Sequence, residues 1–132
     1  MRTLIVEDDF ISRLVLQKML SPISGCDIAI NGKEAVGAFS LALAEGNPYD
    51  LICLDIMMPE MDGRAALKII RQQEKDMEIA PQREVKIIMT TALDTPKEVI
   101  DAFYSGGCTS YLVKPIIKKK LFDMIKEYGL ID

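Results

Sequence analysis

Tyr49-Asp50-Leu51-Ile52-Cys53-Leu54-Asp55-Ile56-Met57-Met58-Pro59-Glu60-Met61-Asp62-Gly63 is the stretch whose reading decides the fold. Residues 51–54 are apolar with no polar alternation, the pattern of a strand covered on both faces in a parallel sheet. The run delivers one carboxylate, Asp55, and then stops: Pro59 ends it, and Asp62-Gly63 marks a turn before the next helix. A carboxylate at the carboxyl end of a central parallel strand stands where open α/β sheets bind their ligands.

Outward from this strand the chain alternates. Towards the N-terminus, residues 3–6 form an apolar strand that runs into the acidic triplet Glu7-Asp8-Asp9, and residues 10–20 read as a helix. The apolar residues of that helix, Ile11, Leu14, Val15, Leu16, Met19 and Leu20, spread over more of its circumference than one core-facing stripe requires, which leaves some for a partner. A second short strand at 26–30 and a small-residue helix at 33–44 follow, separated by Asn31-Gly32. Towards the C-terminus, Ala66, Leu67, Ile70 and Met77 predict an amphipathic helix over 64–77, with residues 71–76 mostly solvated. The segment 71–83 is longer than a compact domain needs and predicts an extended third helix. A fourth strand at 85–89 ends in Thr90-Thr91-Ala92, and Thr95-Pro96 predicts a hydroxyl-capped helix reaching Ser105 before Gly106-Gly107 stops it. A fifth strand at 109–113 ends in Lys114-Pro115. The last helix has a stripe of Ile117, Leu121, Met124 or Ile125, and Tyr128, and stops at Gly129. Strict βα alternation implies right-handed crossovers and a doubly wound, five-stranded parallel sheet of flavodoxin-like order 2-1-3-4-5.

The 132 residues suit one domain, and the expectation is a single unit over 1–132 with no attached output domain. A net charge of −4 argues against an electrostatic grip on nucleic-acid phosphates. Lys118-Lys119-Lys120, the one basic run, reads as a solvated helix face. Cys26, Cys53 and Cys108 are odd in number and lack CxxC spacing, so buried, reduced thiols in a cytoplasmic protein are expected. No stretch approaches the roughly 18 apolar residues of a membrane span. Histidine is absent, so any chemistry rests on carboxylates, hydroxyls and lysine.

Four strands end in such groups: Glu7 and Asp8 after the first, Asp55 after the third, Thr91 after the fourth, Lys114 after the fifth. In a parallel sheet those ends share one edge. Three neighbouring carboxylates repel one another, which makes them a host for a divalent cation. With oxygen ligands only, Mg²⁺ fits best, and Mn²⁺ is a possible substitute. A GxGxxG loop after the first strand is missing.

Val6-Glu7-Asp8, the Asp55-Ile56-Met57-Met58-Pro59 block with Met61-Asp62-Gly63, Thr91-Ala92, and Tyr111-Leu112-Val113-Lys114-Pro115 occur in this order on a βα frame. Together they resemble the receiver domain of two-component response regulators, and the size is similar to the single-domain chemotaxis type. The resemblance implies that Asp55 accepts a phosphoryl group from a phosphohistidine on a sensor histidine kinase or a histidine phosphotransfer protein. It implies that Asp8 ligates Mg²⁺ directly and Glu7 through water, with the Met57 backbone carbonyl completing the protein ligands. Arg13 sets that register, so that Asp9 falls outside the pair. Thr91 and Lys114 would contact the phosphoryl oxygens, Thr91 and Tyr111 would form the switch, and Lys114-Pro115 would be a cis peptide. The surface of the fourth helix, fifth strand and fifth helix, including Lys97, Asp101, Tyr104 and Tyr111, would then meet an unknown downstream protein. The module would not be an enzyme beyond phosphorylating itself from small donors and slowly losing the group.

Two other classes compete. A Mg²⁺-dependent phosphohydrolase with an aspartyl nucleophile carries a second aspartate two residues after the first, where this chain has Met57. A non-phosphorylated interaction module would have no need of the full set Glu7, Asp8, Asp55, Thr91 and Lys114. Met57 and Leu93 stand where many receivers carry polar groups; flanking the site with apolar side chains predicts slow loss of the phosphoryl group to water.

Overall fold

The structure is a computed structural model and describes residues 1–58 and 62–132. Strands β1 (Arg2–Val6), β2 (Gly25–Ala29), β3 (Leu51–Asp55), β4 (Lys86–Thr91) and β5 (Ser110–Val113) alternate with helices α1 (Phe10–Leu20), α2 (Gly32–Ala44), α3 (Gly63–Asp76), α4 (Lys97–Ser105) and α5 (Lys118–Glu127). All pairings are parallel and the strand order is β2-β1-β3-β4-β5, as the alternation predicts.

The uninterrupted apolar run of β3 has its explanation in two cores. Ile52 and Leu54 face one side, joining Leu4 and Val6 of β1, Ile87 and Met89 of β4, and residues of α2, α3 and α4 such as Phe39, Leu67, Ile70 and Phe103. Leu51 and Cys53 face the other, with Ile5, Ile88 and Leu112 against Leu16 and Leu20 of α1 and Leu121 and Ile125 of α5. Because successive strand side chains point to opposite faces, β3 must be apolar at every position to fill both layers.

Caps explain where three helices begin. Asp9 accepts from the Ser12 N–H, Asn31 from Glu34 and Asp62 from Ala65, each satisfying a backbone donor of the first turn. Asp9 is therefore a capping residue, which leaves Glu7 and Asp8 as the acidic pair. At α4 the expected hydroxyl cap is absent: Pro96, extended at φ −61° and ψ 146°, occupies the capping position itself and makes no side-chain cap bond. Ile117 likewise stands at the cap of α5 and is 53% exposed, so the buried stripe of that helix is Leu121 and Ile125.

The extended third helix is not found. It ends at Asp76, Glu78 takes the left-handed φ of 55°, and a short 3₁₀ turn at Pro81–Arg83 leads to β4. Nor are residues 71–76 all solvated. Glu74 is 1% exposed, paired with Arg71 at 2.6 Å, and accepts the Val85 N–H at 2.8 Å, while Arg71 Nε donates to the Gly107 carbonyl at 2.9 Å. Of the turn read from sequence after Asp55, Pro59 and Met61 lie outside the described residues.

Candidate functional site

Strand register brings the chemistry to one edge. Asp55, the last residue of β3, lies opposite Thr90, and Thr91, the last of β4, opposite Val113. Lys114 follows β5, and its N–H donates to the Thr91 carbonyl at 2.7 Å. Glu7 follows β1, with its N–H bonded to the Ala29 carbonyl at 3.0 Å. Side chains from segments up to 107 residues apart thus converge because their strands all end on the same side.

Glu7, Asp8 and Asp55 each offer a carboxylate oxygen, and the three oxygens lie within 4.8 Å of one another. Glu7 and Asp55 are buried; Asp8 is exposed. Lys114 Nζ sits 2.5 Å from Glu7 Oε1 and 3.5 Å from Asp55 Oδ2, so the ammonium binds Glu7 tightly and only borders Asp55. Asp55 Oδ1 accepts the Met57 N–H at 3.2 Å, which fixes the carboxylate on its strand end. Burial, and then the adjoining Asp55, push the Glu7 pKa above the usual carboxylate range; Lys114 and the Asp9 N–H pull against them. Burial alone would lower Lys114, but the bond to Glu7 and the charge of Asp55 outweigh it, and its pKa lies above the ordinary lysine value. One lysine facing three carboxylates leaves an excess of negative charge, the condition under which a hard divalent cation binds.

Thr91 is 2% exposed and its hydroxyl has no hydrogen-bond partner among the described residues. A buried hydroxyl left without a partner costs free energy, so Thr91 carries an unsatisfied polar group at this edge. Two further features escape sequence reasoning. A Cβ built on Gly63 would lie 2.5 Å from the Asp55 carbonyl oxygen and 3.0 Å from Ile56 Cα, so the first residue of α3 has to be glycine for the helix to abut the strand end. The Glu7–Lys114 bond joins residues too far apart in the chain for any local pattern to announce it.

The remaining predicted residues take different places. The Met57 and Leu93 side chains are 74% and 86% exposed, and the Met57 N–H is bonded to Asp55 Oδ1. Tyr111 is half-buried on β5, its ring against Tyr104 rather than bonded into the cluster. The Lys114-Pro115 peptide is cis.

The model of the response regulator receiver domain family matches residues 3–126. This chain belongs to that family. Among relatives of this receiver domain, hybrid signal transduction histidine kinase L of Dictyostelium discoideum is 33% identical over 130 residues, covering 97% of this chain. The receiver domain spans only 7% of that kinase, and 4% and 17% of two other curated relatives, which places the similarity in one domain of far longer proteins. Solved structures agree in fold. The receiver domain of the histidine kinase CKI1 from Arabidopsis thaliana, complexed with Mg²⁺ and BeF₃⁻, aligns at 29% identity and TM-score 0.81 over 98% of this chain and 90% of that one. The receiver domain of Saccharomyces cerevisiae Ssk1, co-crystallised with the histidine phosphotransfer protein Ypd1, aligns at 31% identity and TM-score 0.82, covering 98% and 89%. Among the described residues of this receiver domain, no helix is long and apolar enough to cross a membrane.

Proposed function

We propose that the chain is a phosphorylatable signalling switch in which an Asp55 carboxylate oxygen attacks the phosphorus of a phosphohistidine on a histidine kinase or histidine phosphotransfer protein. The O–P bond forms as the N–P bond breaks, and the imidazole nitrogen leaves with that electron pair and is protonated by solvent. The observation that carries the reading is the convergence on Asp55 of two further carboxylates and the Lys114 ammonium, at the sheet edge where β4 ends in Thr91, whose buried hydroxyl has no partner among the described residues. Phosphoryl transfer asks mainly for positioning and for charge to be neutralised on the equatorial oxygens. Mg²⁺, or Mn²⁺ in its place, would be held by Glu7, Asp8, Asp55 and the Met57 carbonyl and would supply positive charge against those oxygens. Lys114 supplies a second cation and Thr91 a hydroxyl donor.

Transfer leaves the product on the protein, so the module stores a state rather than turning over substrate. The added group brings roughly −1.5 to −2 charge and new acceptor oxygens. These draw the Thr91 hydroxyl towards them and open space on its side of the sheet, into which Tyr111 turns. The altered surface of α4, β5 and α5 is what a downstream protein reads. On α1, Phe10, Ile11 and Val15 are 61%, 63% and 40% exposed. Ile11 and Val15, with Pro115 and Ile116, line a groove beside Glu7 and Lys114 that offers the phosphodonor an apolar landing. Residues 1–132 act as one receiver unit. The three unbridged cysteines, Cys53 pushed up to about 12 and Cys108 to about 11 by burial, suit a reducing compartment such as the cytoplasm.

Incubation with Mg²⁺ and acetyl phosphate, followed by mass spectrometry, tests the reading. The parent is expected to gain one phosphoryl group and Asp55→Asn none. Equal labelling of both would remove Asp55 as the acceptor.

A further inference from the structure

The rings of Tyr104, at the end of α4, and Tyr111, in β5, lie with centroids 6.1 Å apart and planes at 82°, an edge-to-face contact. Tyr111 pairs in register with Met89, and Val113 with Thr91. Residues two apart on a strand share a face, so Thr91, Met89, Tyr111 and Val113 project to one side of the sheet. That side is the α4 side, where Met89, Phe103, Val99 and Tyr111 pack together. One layer therefore holds a buried hydroxyl without a partner, a half-buried ring, and a second ring that is 45% exposed and touches the first.

We propose that Tyr104 is a positioning residue for the switch: its edge-to-face contact holds Tyr111 in the resting position, and inward movement of Tyr111 gives that contact up. The inference rests on the phosphorylation reading above. Edge-to-face aromatic pairs bias an equilibrium by about two- to tenfold. That is enough to set the fraction of unmodified protein already in the signalling conformation, since a switch responds only to differential stabilisation of its two states. Because Tyr104 is exposed, release of Tyr111 also frees its ring face to the solvent side of α4, so a partner touching Tyr104 senses the state of Asp55 through a single ring contact.

The test places a 3-fluorotyrosine label in the full chain and follows the Tyr111 resonance by ¹⁹F NMR with Mg²⁺ alone and with Mg²⁺ plus beryllofluoride. The parent is compared with Tyr104→Leu, Tyr104→Ala and Tyr104→Phe. In the parent, beryllofluoride is expected to shift the Tyr111 resonance. Tyr104→Leu and Tyr104→Ala are expected to reach their own beryllofluoride end point at about two- to tenfold lower beryllofluoride than the parent, their inward population being raised by that factor. Tyr104→Phe, which keeps the ring, is expected to titrate with the parent. Leu and Ala midpoints identical to the parent's would overturn the role of Tyr104 while leaving phosphorylation intact. A parent resonance indifferent to beryllofluoride, together with no phosphoryl gain from acetyl phosphate, would bring down the underlying reading and this inference with it.

Discussion

Thr91 holds a buried hydroxyl that has no hydrogen-bond partner among the described residues, and that sets two effects of opposite sign. Thr91→Val keeps the shape and removes the unpaired hydroxyl, so thermal stability is expected to hold or to rise by about 1 kcal/mol. Phosphorylation by acetyl phosphate is expected to slow about tenfold or more, the loss of one hydrogen bond to a charged oxygen. A variant that loses stability and keeps its rate would reverse the assignment. Met57 stands two residues after Asp55 and Leu93 two after Thr91, both exposed, and neither apolar side chain can position an attacking water. The phosphoryl group on the parent is expected to persist well beyond seconds and to be lost faster in Met57→Asn, as followed by intact-mass measurement over time. At this scale much was legible. The residue types Asp, Glu, Thr and Lys at strand ends announce a charged edge, because the strand pattern alone says that these ends coincide. Which carboxylate Lys114 binds was not legible: the choice of Glu7 over Asp55 depends on side-chain reach across the sheet, which no spacing encodes.

Among the elements, α3 shows where pattern reading succeeds and where it fails. Ala66, Leu67 and Ile70 fall on the buried face as their spacing predicts. Arg71 and Glu74 look like solvent-facing charges, yet Glu74 is buried because Arg71 and the Val85 N–H supply partners from its own helix and from beyond the turn that follows it. A buried charge is tolerated only with such partners. Glu74→Ala and Arg71→Met are each expected to destabilise the fold by about 3 kcal/mol, measured from urea unfolding, since each strands a buried group. The double variant Arg71→Met/Glu74→Leu is expected to recover part of that loss but not all, because the Val85 N–H stays unsatisfied. The extended α3 failed for a related reason. Met77, Glu78, Ile79 and Ala80 continue the composition of a helix past Asp76, while the left-handed turn at Glu78 leaves no mark in a pattern of apolar spacing.

For the molecule as a whole, the edge opposite the carboxylates is tied rather than poised. Arg2 donates to Asp27 at 3.0 Å and to the Asn47 carbonyl, and its guanidinium lies 4.4 Å over the Tyr49 ring, whose hydroxyl donates to Asp27 at 2.7 Å. The Tyr49 hydroxyl and then Arg2 hold Asp27 below the usual carboxylate range. Burial and the bond to Asp27 push Tyr49 up to about 12. The signs follow. The Asp27 contribution is present above its unfolded pKa, roughly 4, and is lost as the pH falls through the lower folded value. The Tyr49 contribution is present below its unfolded pKa, roughly 10, and is lost as the pH rises through the folded value. Melting temperature is therefore expected to fall at both extremes, with Asp27→Asn flattening the acid limb and Tyr49→Phe the alkaline one. Between the two edges runs α3, whose first residue, Gly63, abuts the Asp55 backbone and whose Arg71 and Glu74 reach Gly107 and Val85. Both attachments fix its rotational phase. Inserting or deleting a single residue between positions 63 and 71 would turn one end by about 100° relative to the other, carrying the Arg71 guanidinium off Gly107 or the glycine off the end of β3. The length of this rod is consequently restricted to steps near whole turns, whereas residues 77–84, with no such double anchorage, are where the fold can absorb insertions.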